Sequence, residues 1–248
     1  MNDQFSINIE KQNDTPKISK MARKVKQIVY GGMDGVISTF AIIAASIGSD
    51  VDNKKVIILA IANVIADGLS MGFSDFISSY SERRYILAEK EKENIQYELN
   101  GDREKQQLVS IYKLDGMCED DAIDLVNILG KYPTIFIDHI MFKELDMNIP
   151  CSLINIIKSS TVTLVSFFFY GVIPIISYVV VFFAGIKNEF INFGITCGVT
   201  VITLFGIGAL EGKVTKQNMI YSGTLIAFNG SIASLAAFGI GYGLNAIP

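Results

Sequence analysis

Five apolar stretches, each long enough to cross a lipid bilayer, constrain this chain more than any other feature. Roughly 20 residues of helix, at about 1.5 Å each, cross the ~30 Å hydrocarbon layer. The stretches run over residues 28–48, 56–80, 159–183, 190–210 and 219–245. In lipid every backbone N–H and C=O has to be satisfied internally, so segments of this kind read as transmembrane helices. Half of the 248 residues are hydrophobic, and their clustering separates this pattern from a soluble protein with a large core. The expected fold is an all-α integral membrane protein with five spans and a small helical domain inserted between spans two and three.

The chain divides by composition into a polar tail (1–27), spans one and two (28–80), a polar insert (81–158) and spans three to five (159–248). The tail contains Pro16 and shows no secretory leader pattern. It ends in a basic run of Lys17, Lys20, Arg23, Lys24 and Lys26, which predicts a cytosolic N-terminus. Five spans then put the C-terminus on the lumenal side. Of the 21 Lys and Arg residues, only Lys54, Lys55 and Lys187 fall in the expected outer loops. Residues 82–158 carry fifteen acidic against ten basic side chains, a balance that attracts cations and argues against nucleic acid. Cys118, Cys151 and Cys197 are odd in number and lack CxxC spacing, so they read as structural thiols rather than a disulfide framework or zinc knuckle.

The spans carry charges that lipid disfavours. An ionised carboxylate near the bilayer centre costs roughly 2.5–3.5 kcal/mol on insertion scales, yet span one holds Asp34 and span two holds Asp67 and Asp75. Asn63, Asp67, Met71 and Asp75 recur every four residues and so share one helix face. Ser70, Ser74 and Ser78 form the adjacent row. Met71 taken alone reads as packing. With Asp34 and its own neighbours it reads as a ligand, because carboxylates plus a thioether suit a divalent transition metal better than Mg²⁺ or Ca²⁺. A polar stripe through lipid reads as an ion path. Gly31/Gly35 and Gly68/Gly72 are small-xxx-small pairs that permit close helix approach. Gly171 and Pro174 predict a kink or break in span three, and Gly239, Gly241 and Gly243 in span five read as packing positions.

In the insert, span two is expected to continue as helix to about Leu99, with Asn100-Gly101-Asp102 ending it and starting another to about Leu114. Gly116 closes that helix, 119–129 forms a third, and Pro133 opens a fourth to about Met147 before Pro150 ends the domain. Glu89 and Glu93 are one turn apart, Glu98 and Glu104 straddle the tight turn, and Met141 and Glu144 sit at i, i+3. Antiparallel packing would gather these into a carboxylate-plus-thioether metal site; the competing reading is a solvated surface, since Lys90 and Lys92 interleave with the glutamates. His139 is the single histidine and reads as structural.

Several motifs together resemble the vacuolar iron transporter family, which includes plant and yeast vacuolar iron and manganese importers. They are Gly31-Gly32-Met33-Asp34-Gly35-Val36, Ala66-Asp67-Gly68-Leu69-Ser70-Met71-Gly72 continuing to Asp75 and Ser81-Glu82, the acidic insert, Gly171-Val172-Ile173-Pro174, and the glycine-rich last span. The resemblance covers about residues 24–245. It implies a homodimer of five-span subunits with Asp34 and Met71 lining the translocation path. It also implies metal binding in the insert through Glu93, Glu104, Met141 and Glu144, with Glu89 or Glu98 as compensating ligands. Two further family glutamates fall on Gln96 and Gln107, and a second methionine on Ile140, so fewer or more weakly held metals are expected. The function so implied is proton-coupled antiport of Fe²⁺ as substrate, with Mn²⁺, Zn²⁺ and Co²⁺ also admitted, from the cytosol into an acidic store such as a vacuole, with no prosthetic cofactor. Partners are divalent ions, protons and the bilayer. Two other classes compete: a membrane-anchored metal sensor or buffer without net transport, and a ferritin-like di-iron enzyme. The latter expects Glu-x-x-His pairs, whereas Phe136 stands three residues before His139.

Overall fold

A computed structural model describes residues 2–147, 151–185 and 189–246, with the side chains of 24–147, 151–185 and 190–246. Pro150 and Lys187 lie outside the described residues. The elements are α1 (Asn2–Gly48), α2 (Asn53–Leu114), α3 (Glu119–Leu129), α4 (Pro133–Lys143), α5 (Leu153–Phe183), α6 (Glu189–Thr215) and α7 (Met219–Asn245). Among the described residues there is no strand. Five helices contain segments long and apolar enough to cross a membrane: Lys24–Gly48, Asn53–Leu114, Leu153–Phe183, Phe190–Thr215 and Met219–Asn245. The 62 residues of α2 are about three times what a bilayer needs, so only its apolar first part, to about Tyr80, serves as a span.

The chain forms two compact units, Met1–Asp75 with Ile157–Pro248, and Phe76–Ile156. In the first, α1 is central. One face joins Ile43 to Val56, Ala60 and Val64 of α2 and to Phe167, Ile175 and Tyr178 of α5. The other joins Val29 and Val36 to Leu204 and Ile207 of α6 and Ile226 and Ala227 of α7. Glycines set these approaches. A Cβ on Gly31 would lie 2.6 Å from the Thr163 carbonyl oxygen, and one on Gly35 2.5 Å from that of Phe167, so α1 meets α5 backbone to backbone. Gly68 and Gly72 of α2 face side chains of α5 instead, the Phe168 ring and Leu164. In α7, Gly241 packs on the Ala45 carbonyl of α1, while Gly239 and Gly243 have nothing within 4 Å.

A tight turn joins α1 to α2. Val51 N–H donates to the Ser46 carbonyl at 3.0 Å, Asp50 adopts φ +54°, and the Asp52 carboxylate accepts from Lys54 N–H at 3.2 Å, capping α2. A kink or break is the expectation for span three, and a break does not occur. Helix α5 continues through a buried Pro174, because proline removes only one ladder hydrogen bond and the neighbouring packing holds the remaining ones.

The second unit is built on Leu108, Tyr112, Ala122, Val126, Phe136 and Ile140, supplied by α2, α3 and α4. Helix α2 bends at Asn100, where φ −144° and ψ 50° leave the helical region. Helix α4 ends at Lys143, earlier than the 147 expected. Met147 N–H folds back to the Met141 carbonyl at 2.8 Å and Asp146 takes φ +51°, so the chain has already turned.

The glycine contacts generate a stability prediction. Gly35→Ala forces a methyl onto the Phe167 carbonyl and should cost about 1–3 kcal/mol, lowering the thermal unfolding midpoint in detergent by several degrees. Gly194→Ala, whose added Cβ meets nothing within 4 Å, should leave the midpoint unchanged.

Candidate metal path and acidic cluster

The α1–α2 hairpin decides which charges meet in the first unit. Asp34 lies fourteen residues before the end of α1 at Gly48, and Asp67 fourteen after the start of α2 at Asn53. An antiparallel hairpin therefore sets them level, and the two carboxylates interact electrostatically. Met71 is one turn further along α2 and packs against the apolar cluster around Phe167 and Tyr178. Asp67 is thus level with Asp34, and Met71, the residue expected beside Asp34, lies one turn from that level.

Asn63, Asp67, Met71 and Asp75 are all half-buried, as one shared face requires. Two of them carry orphan polar atoms: Asn63 Nδ2 and Asp75 Oδ2 are buried without a hydrogen-bond partner. Ser160 Oγ of α5 is in the same condition. The contacts of Gly68 with Phe168 and Gly72 with Leu164 fix an antiparallel register that sets Ser160 near the level of Asp75. Unsatisfied polar atoms in an apolar layer are costly, so this stripe is polar beyond what packing needs. Asp34 itself is exposed at the surface of the chain, as are Ser70, Ser74 and Ser78.

In the second unit the bend at Asn100 turns Glu104 back toward Glu93. Only 8% of Glu93 and 6% of Glu104 is exposed, with Met141 at 4%. Neither glutamate makes a hydrogen bond or ion pair among the described residues. Burial pushes the Glu93 carboxyl above its ordinary range, and repulsion from Glu144 and Glu104 adds to this. Glu144, just beyond the end of α4, is pushed up by burial and by Glu104, and accepts a hydrogen bond from the Gln107 side-chain amide. Glu89 acts on Glu93 from one turn away and is itself bridged to Lys92 at 3.1 Å. Glu98 is exposed and is not among the groups acting on Glu93. Among the described residues no three His, Cys, Asp or Glu side chains stand close enough together to hold a metal as they are. The acidic groups gather without closing.

The remaining polar groups of this unit are structural. His139 shares a hydrogen bond with the Tyr112 hydroxyl and stacks on its ring. Burial, then Lys143, hold its pKa down. Lys143 pairs with Asp115 at 2.7 Å, and Lys90 pairs with Asp138. Cys118 and Cys197 are free thiols.

These features define a multi-pass helical membrane protein whose first hairpin carries carboxylates at one level. The chain belongs to the VIT family, whose model matches residues 25–242. It is similar to the vacuolar iron transporter of Toxoplasma gondii, 34% identical over 221 residues that cover 88% of this chain and 73% of that one. The vacuolar iron transporter of Plasmodium falciparum is 32% identical over 244 residues, covering 96% and 87%. Vacuolar iron transporter 1 of Arabidopsis thaliana is 27% identical over 238 residues, covering 94% and 93%. Membership puts the chain among transporters and not among enzymes.

The raised Glu93 value carries a sign. A carboxyl that binds its proton more tightly folded than unfolded adds stability at low pH, and that contribution disappears as pH rises through the folded value. Glu93→Gln keeps the shape and removes the charge. It should therefore raise the thermal unfolding midpoint at pH 7.5, with no gain near pH 4. A midpoint equal to that of the parent at both pH values would contradict this.

Proposed function

We propose that this protein carries Fe²⁺, and other divalent transition metals such as Mn²⁺, from the cytosol into an acidic internal compartment such as a vacuole, in exchange for protons. The observation that carries the reading is the pair Asp34 and Asp67, level with each other on an apolar hairpin. Two anions at one level of a low-dielectric layer repel each other. A divalent cation or a shared proton between them removes the repulsion, and one species displaces the other. That competition is the chemistry of metal–proton exchange, since metal ligands have to be deprotonated to bind. Protons of the lumen then help to eject the metal. The names of the relatives supply the metal: each is called a vacuolar iron transporter.

The path follows one face of α2. Asp75 and Asn63 supply polar steps on either side of Asp67, and Met71 supplies a soft sulfur ligand. The working unit is a homodimer. Ala62, Ala66, Ser70 and Ser74 form an exposed row of small side chains beside the half-buried stripe, and small residues let a second α2 approach closely. Such a partner covers Asp34, which lipid would otherwise meet directly. The insert faces the cytosol and collects metal through Glu93, Glu104, Met141 and Glu144, with Glu89 in support. Glu98 is the member of the sequence-derived set with least support. The N-terminus is cytosolic and the C-terminus lumenal, following the basic run before the first span.

The test is Fe²⁺ uptake into proteoliposomes whose lumen is acidic relative to the bath. Asp34→Ala and Met71→Ala should each cut the initial rate about tenfold or more, and collapsing the pH gradient should slow the parent protein. Uptake indifferent to both substitutions would remove the path.

A further inference from the structure

We propose that Gln107 is an internal latch on the acidic cluster: its side-chain amide donates into the Glu144 carboxylate, standing in for a cation, and metal loads only by displacing it. The inference rests on the reading that these carboxylates collect metal. Glu93 and Glu104 are more than nine-tenths buried, and neither has a hydrogen-bonding or ionic partner among the described residues. Glu144 repels both. An ionised carboxylate only accepts hydrogen bonds, and an amide offers two N–H donors, so the Gln107 amide nitrogen is the end that faces Glu144. It is the one group here that offers partial positive charge to Glu144 without adding a net charge to the site.

This arrangement explains why the acidic groups gather without forming a ready site. Glu144 accepts from Gln107, and among the described residues no three carboxylates close to ligating distance. A divalent ion entering among Glu93, Glu104 and Glu144 gains their charge but first has to release the amide. Affinity is lowered by the strength of that hydrogen bond, and the cytosolic unit passes its cargo on rather than retaining it. A residue that merely positioned Glu144 for the metal, or that ligated through its own amide oxygen, would act with the opposite sign.

The experiment is Mn²⁺ titration of the full chain in detergent, with free Mn²⁺ followed by electron paramagnetic resonance. All variants carry Asp34→Ala to silence the membrane stripe. Gln107→Ala removes the latch and should tighten Mn²⁺ binding about tenfold, the size of one charge-assisted hydrogen bond. Gln107→Glu removes the latch and adds a ligand, so it should tighten binding further. Binding that is unchanged or weaker in Gln107→Ala overturns the latch. The underlying reading fails separately, if Glu93→Gln with Glu104→Gln binds Mn²⁺ as well as the parent does.

Discussion

The placing of three carboxylates, Asp34, Asp67 and Asp75, on the apolar helices of the first hairpin is the constraint on which the rest of this molecule turns. An isolated carboxylate in hydrocarbon is costly, and two at one level are worse. A fold that keeps both needs rigid helices, a compensating positive species and cover from lipid. The helices are held by glycine: Gly31 and Gly35 seat α1 directly on the α5 backbone. Under the proposed function the positive species is a metal ion or a proton.

The second unit also gathers carboxylates, by different means. Glu93 and Glu104 are buried there, while the exposed Glu144 is answered by the Gln107 amide. Burial, and then repulsion from neighbouring carboxylates, raises the Glu93 and Glu144 carboxyls, so a cation drawn to them competes with protons.

Much of this was legible in the sequence, and for identifiable reasons. Bilayer thickness fixes span length, so the ends of the fifth span at Met219 and Asn245 coincide with those of α7. Acidic residues in the first turn and a glycine beyond the last gave α3 its limits at Glu119 and Leu129. Periodicity of four put Asn63, Asp67, Met71 and Asp75 on one face, and all four are half-buried together. What periodicity does not reveal is the phase between two helices. That depends on the turn, and the turn at Asp50 sets Asp67 level with Asp34. The early end of α4 was hidden for a related reason, since it rests on a backbone hydrogen bond from Met147 to Met141 that no side-chain pattern encodes. Proline misled in the other direction, because within a packed bundle Pro174 does not break α5.

The most direct test of the central claim is X-ray absorption at the iron edge on the full chain carrying Glu93→Gln and Glu104→Gln, so that the membrane stripe alone binds. The account predicts bound Fe²⁺ with carboxylate oxygens and a sulfur neighbour, the sulfur disappearing in Met71→Ala and the iron itself in Asp34→Asn. Iron that is not retained at all, or a spectrum indifferent to both substitutions, would contradict it.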